Sequence, residues 1–160
     1  MVQIHLLAKF RPDQANITMA EHIKNPITFR GSEIDDIINY SNGIWRKSLG
    51  NDRNIAQKIK DGKLHLVGIG ILMKFGIRKQ MGLDKEIITR NEVLHLIKSM
   101  CDLDKEQFSE KYPQLGQVSF SAQSSMLILH GIMTSLGVDS MRISDDDVMS
   151  YVALNPRFVE

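Results

Sequence analysis

Apolar residues recur at helical spacing over most of this chain and at strand-like density in only a few short runs. From Ser32 onward, Ile34, Ile37, Ile38, Ser41, Ile44 and Trp45 follow one another so as to share one helix face. The spacing predicts an amphipathic helix over Glu33–Leu49, with Ser32 as its N-terminal cap. Gly50-Asn51-Asp52 interrupts it, Asn54–Lys60 resumes it briefly, and Asp61-Gly62 marks a turn. Lys63–Ile69 then reads as a buried strand, and Ile71–Gln80 returns to helical spacing through Leu72, Phe75 and Met81, with Gly82 placed to end it.

The second half is more sharply punctuated. Thr89-Arg90-Asn91-Glu92 is a capping-box pattern, because the threonine oxygen and the glutamate carboxylate can satisfy opposite backbone donors. A helix over Arg90–Met100 follows from it. Asp104 caps a short helix through Glu110, and Pro113 with Gly116 makes the next connection. Ala122–Leu136 carries Met126, Leu127, Leu129, Ile132, Met133 and Leu136 around much of its circumference, the pattern of a buried helix. Gly137 suits its C-terminus, Val138–Ile143 reads as a strand, and Ser144-Asp145-Asp146-Asp147 opens a final helix. Val2–Phe10 is apolar enough for one more strand before Arg11-Pro12-Asp13 stops it. Strands interleaved with more numerous helices predict one helix-rich α/β domain over residues 1–160, with a sheet small enough to invite further strands from elsewhere.

Composition narrows this picture rather than redirecting it. A length of 160 residues suffices for a core without metal or disulfide staples, and a formal charge of +1 gives no general pull toward nucleic acid or anionic membrane. The single cysteine, Cys101, leaves no internal disulfide and no zinc cluster, which favours a reducing, cytoplasmic setting. No apolar run reaches membrane-spanning length, and Met1-Val2-Gln3-Ile4-His5 lacks the pattern of a secretory signal.

Few residues point to chemistry. In Leu66-Val67-Gly68-Ile69-Gly70-Ile71 two glycines join a strand to a helix, where backbone amides can approach a phosphate; tight packing alone also explains glycine there. Lys74, Arg78 and Lys79 follow as either an anion-attracting or a simply solvated face. Asp145-Asp146-Asp147 reads as a helix start before it reads as a cation site, since consecutive residues radiate apart. The histidines are scattered, and His130 in an apolar helix reads as a core residue. Ser119, Ser121, Ser124 and Ser125 lack a nucleophile elbow and read as capping residues, and Cys101 at a helix end is not an activated thiol.

From Lys63 onward the order of elements resembles the second domain of the exopolyphosphatase and guanosine pentaphosphate phosphohydrolase (Ppx/GppA) family. Leu66-Val67-Gly68-Ile69-Gly70 is similar to the family's late glycine turn, and Ile87-Ile88-Thr89-Arg90-Asn91-Glu92-Val93 to the segment that starts its next helix. Met126-Leu127-Ile128-Leu129-His130-Gly131-Ile132, Leu136-Gly137-Val138 and Met141-Arg142-Ile143-Ser144-Asp145 resemble its buried helix, short strand and closing helix. The resemblance implies a partial actin-like ATPase (RNase H-like) domain whose family releases phosphate from polyphosphate or guanine nucleotides in a cleft between two domains. It also implies that Gly68, Gly70 and Lys74 line the phosphate side of that cleft.

The family's Asp- and Gly/Ser-rich phosphate loops and first-domain glutamate have no counterpart here. The glycine turn departs from the family's Gly/Thr-rich pattern, and Asp145-Asp146-Asp147 stands where a Gly-containing segment is usual. The expectation is a shortened or split relative with no catalytic residues, resident cofactor or metal site of its own. Mg²⁺ enters only if a complementary domain or a second copy supplies the missing half. The alternative is a noncatalytic dimerisation or interaction module; nucleic acid and membrane are not expected partners.

Overall fold

The computed structural model describes residues 28–49, 53–68, 73 and 86–144. Among them are five α-helices and a three-stranded mixed sheet, a mostly helical α/β arrangement. Helix α1 is Ile34–Leu49 and buries Ile34, Ile38, Ser41, Trp45 and Leu49 along one stripe. Asp35 and Asp36 lie in its first turn and Arg46 and Lys47 in its last, each sign opposing the local end of the helix dipole. Helix α2 (Arg53–Lys60) ends at Gly62, whose φ of 68° admits the reversal. There the Gly62 amide donates to Ile59 O and the Lys63 amide to Lys58 O, which together form a Schellman closure.

Strand β1 is Val67–Gly68 and strand β2 is Ile87–Thr89. Helix α3 (Arg90–Ser99) follows β2 directly, and its expected capping box is complete. The Glu92 amide donates to Thr89 Oγ1 at 3.2 Å, and the Thr89 amide donates to the Glu92 carboxylate at 2.8 Å. Helix α4 (Lys105–Lys111) opens on a second such box, in which Asp104 and Gln107 exchange the same two bonds. A 3₁₀ turn over Pro113–Val118 leads into helix α5 (Ser119–Leu136), and strand β3 (Ser140–Ile143) closes the described chain. Gly137, at φ 65°, ends α5 as expected, with Gly137 N donating to Thr134 O and Val138 N to Met133 O.

The sheet order is β1-β3-β2, with β1 parallel to β3 and β2 antiparallel to it. Alternation sorts its two faces. Gly68, Ile88, Met141 and Ile143 are buried, while Ile87, Thr89, Ser140 and Arg142 are exposed. Helix α5 is the spine against which α1 and α3 pack, and Ala122, Met126, Leu127 and Met133 are almost wholly buried. The Ser41 hydroxyl donates to Leu127 O at 3.2 Å, and one turn further Gly131 receives the Trp45 ring, so α1 and α5 run in the same direction.

Several expectations shift. The strand expected over Val138–Ile143 begins at Ser140, and α1 starts at Ile34, so Ser32 lies in the preceding turn rather than at the cap. The strand expected over Lys63–Ile69 is confined, among the described residues, to Val67–Gly68, the two positions registered against Arg142 and Ile143 of β3. Ile87–Thr89, read only as the approach to a helix, is a strand because β3 supplies its ladder through Arg142, Met141 and Ser140. The strand expected over Val2–Phe10, the final helix from Asp145 and, apart from Met73, the helix over Ile71–Gln80 lie outside the described residues.

Candidate functional site

The site singled out by sequence lies at the carboxyl end of β1. Parallel pairing sets this end beside the carboxyl end of β3: Gly68 is registered with Ile143, and the Ser144 amide donates to Gly68 O at 2.9 Å. Gly68 and Ser144, the residues that lead toward the glycine turn and toward the aspartate run, are therefore neighbours at one end of the sheet. At position 68 a Cβ would run into Met141 Cε and approach Met73 Sδ at 3.0 Å, but both belong to flexible methionine side chains that can move aside, so packing alone does not demand glycine there. Gly70 and Lys74 lie outside the described residues, as do Asp145, Asp146 and Asp147.

Charged side chains are paired at both ends of the sheet, the first pair beside Gly68 and Ser144 and the second at the opposite end. Arg142 pairs with Glu86 at 3.3 Å across the exposed face, and Arg90 pairs with Asp139 at 2.7 Å where β2 passes into α3. His130 is buried within α5, as its apolar setting predicts, but its Nδ1 has no hydrogen-bond partner. Burial, and then the nearby Arg90 guanidinium, hold its pKa below the ordinary imidazole value, so it sits in the core as a neutral ring. His65 and His95 are exposed. Among the described residues no three His, Cys, Asp or Glu side chains converge as a metal-binding set.

The richest polar constellation was not legible from motifs. Gln123 is almost fully buried; its Oε1 accepts from the Phe29 amide at 2.7 Å, and its Nε2 donates to Ile97 O at 2.9 Å and approaches Cys101 Sγ at 3.4 Å. Beside it Asp102 adopts a left-handed φ of 60°, its amide donating to Phe29 O and its carboxylate accepting from the Gly31 amide at 3.0 Å. The Thr28 hydroxyl donates to Leu103 O at 2.7 Å. These bonds clamp the approach to α1 onto the end of α3 and onto α5, and they leave little room for chemistry. Cys101 belongs to the clamp. Its thiol pKa is raised, chiefly by burial and further by Asp102, against the lowering effect of Gln123, so the thiol is kept in its unreactive form. The expected inertness therefore has a desolvation cause rather than a helix-dipole one.

Ser124 and Ser125 lie half-buried inside α5, which begins at Ser119, so they fall within the helix and not at its cap. No helix among the described residues is long and apolar enough to cross a membrane. Compared with protein-family models, curated proteins and solved structures, the chain matches none.

Proposed function

We propose that this chain is a shortened or split relative of the exopolyphosphatase and guanosine pentaphosphate phosphohydrolase family, corresponding to its second domain and inactive by itself. The observation that carries the reading is the parallel pairing of β1 with β3, which brings the carboxyl ends at Gly68 and Ser144 together at one end of the sheet. In open α/β sheets ligands bind outside the carboxyl ends of parallel strands. A helix-rich α/β domain with a small mixed sheet is also compatible with a partial actin-like (RNase H-like) domain. In this reading Gly68 and Gly70 line the phosphate side of a cleft, Lys74 adds anion contact, and the bond-breaking groups come from a complementary domain.

The family's Mg²⁺ would assist phosphoryl transfer in the assembled site by neutralising phosphate charge. The test combines binding with turnover. The pure chain, titrated with Mg²⁺-polyphosphate or with guanosine pentaphosphate, is expected to gain thermal stability while releasing no phosphate. Robust release by the chain alone, unaffected by Gly68→Val, overturns the reading; so does complete indifference of stability to both polyanions. A second reading, a noncatalytic dimerisation module, is supported by the outward face of α1, where Tyr40 is well exposed and Gly43 stands clear of every neighbour.

A further inference from the structure

Helix α1 turns Ile34, Ile38, Ser41, Trp45 and Leu49 toward the core. On its opposite side Asp36, Tyr40, Gly43 and Lys47 follow at intervals of four, three and four residues, and all are exposed. That spacing is the repeat of a coiled-coil seam, which keeps the positions in line along the helix. Two members of the stripe stand out, Tyr40 as a large exposed ring and Gly43 as a glycine inside a helix. Tyr40 leaves 56% of its surface exposed. Gly43 sits in the interior of a helix, where glycine costs about 1 kcal/mol relative to alanine, yet a Cβ there would meet nothing within 4 Å. The other well-spaced glycine on this packing axis, Gly131, is filled by Trp45. Within the described monomer nothing makes use of the gap at Gly43.

We infer that the outward stripe of α1 is a homodimer seam, in which α1 of one chain packs antiparallel on α1 of a second copy about a two-fold axis between Ser41 and Asn42. The occupant is identified by self-complementarity. Asp36 and Lys47 are equidistant from that midpoint, and so are Tyr40 and Gly43. A single two-fold therefore sets each Tyr40 ring over the bare Gly43 backbone of the other copy and each Asp36 opposite the other copy's Lys47. Both pairings are favourable at once and in duplicate, as an isologous contact requires. The acidic first turn and basic last turn of α1 reinforce the antiparallel sense over the parallel one, which would set like charges together. The seam geometry calls for a crossing angle of about 20°. A single helix pair falls below the area of a tight interface, so the dimer is a weak one, with a dissociation constant on the order of 10–500 μM.

The inference deepens the second functional reading and is independent of the first, because association and phosphate release are read in separate assays. Sedimentation velocity of the full chain from about 5 μM to 1 mM is expected to show a reversible monomer–dimer equilibrium on that scale. Tyr40→Ser and Gly43→Leu should each weaken dimerisation at least tenfold while leaving the circular-dichroism spectrum unchanged. Asp36→Lys and Lys47→Asp should each weaken it by about tenfold, and the combined swap, which restores opposite charges across the two-fold, should recover most of the loss. A chain that stays monomeric throughout that range overturns the inference. So does a dimer that tolerates Tyr40→Ser and Gly43→Leu, or one for which the double charge swap is no better than the single ones.

Discussion

Two glycines in two packed helices should respond to the same substitution with opposite signs. At Gly131 an added methyl would run into Cδ1 of Trp45 and stand 3.1 Å from Cγ and 3.2 Å from Nε1. The obstacle is the five-membered ring of a rigid indole that is itself only 5% exposed, so neither side can yield by rotating a flexible tip. Overpacking of this kind costs about 1–3 kcal/mol, and a contact this short belongs at the upper end. Replacing glycine by alanine inside a helix returns about 1 kcal/mol. The balance for Gly131→Ala is a loss of about 2 kcal/mol, or roughly 4–8 °C in melting temperature for a chain of this size. At Gly43 only the helix term remains, so Gly43→Ala should raise stability by about 0.5–1 kcal/mol when measured in dilute, monomeric solution. Urea unfolding of both variants, followed by tryptophan fluorescence and by circular dichroism, reads the two signs directly. Trp45→Leu placed in the Gly131→Ala background should show a favourable coupling of about 1 kcal/mol or more relative to the sum of the single changes. A Gly131→Ala variant as stable as the parent, or a double mutant that is simply additive, would refute the close-contact account of the α1–α5 interface.

Removing the buried amide by Gln123→Leu strands the Phe29 N–H and should cost about 1–3 kcal/mol; a change under 0.5 kcal/mol in urea unfolding would mean that water or a backbone shift satisfies that donor. Thr89→Ala deletes the side-chain half of the α3 capping box and should lower stability by about 1 kcal/mol, whereas Thr89→Ser should retain most of it; equal losses for both would argue against the cap. His130 supplies a pH dependence of definite sign. Its folded pKa is depressed, so protons bind preferentially to the unfolded chain. Its contribution to stability is complete above the ordinary imidazole pKa of about 6.5 and declines as pH falls below it toward the folded value. The urea midpoint should therefore fall less steeply between about pH 7.5 and 5.5 in His130→Leu than in the parent, and parallel slopes would exclude this residue as the cause.

Local chemistry was the legible part of this fold. The capping box at Thr89 and Glu92, the cap at Asp104 and the glycine at 137 each act over three or four residues, so their signals sit in contiguous sequence. The all-round apolar character of α5 likewise announced its burial, because a helix without a polar face must be enclosed. Ile87–Thr89 stayed hidden as a strand because three residues are too few for a period, and their ladder comes from β3, more than fifty residues along the chain. The described part of β1 has the same origin: Val67 and Gly68 form strand because Arg142 and Ile143 of β3 lie alongside. Gln123 carries no local signal of its role, since its partners Phe29 and Ile97 are distant in sequence. At the candidate site the glycine at 68 was legible, but its methionine neighbours were not, because Met141 arrives from another strand.

The parallel run of α1 beside α5 also sets an order of events during synthesis. Ser41 meets Leu127, 86 residues later, and Phe29 meets Gln123, 94 residues later. The buried stripe of α1, which includes Trp45, therefore has no permanent cover until α5 has left the ribosome. At synthesis rates of about 5–20 residues per second that wait is roughly 4–17 s, long enough for a chaperone that binds exposed aromatic and aliphatic segments to find the nascent chain. The residues that will hold the finished core together are, for those seconds, its most vulnerable surface.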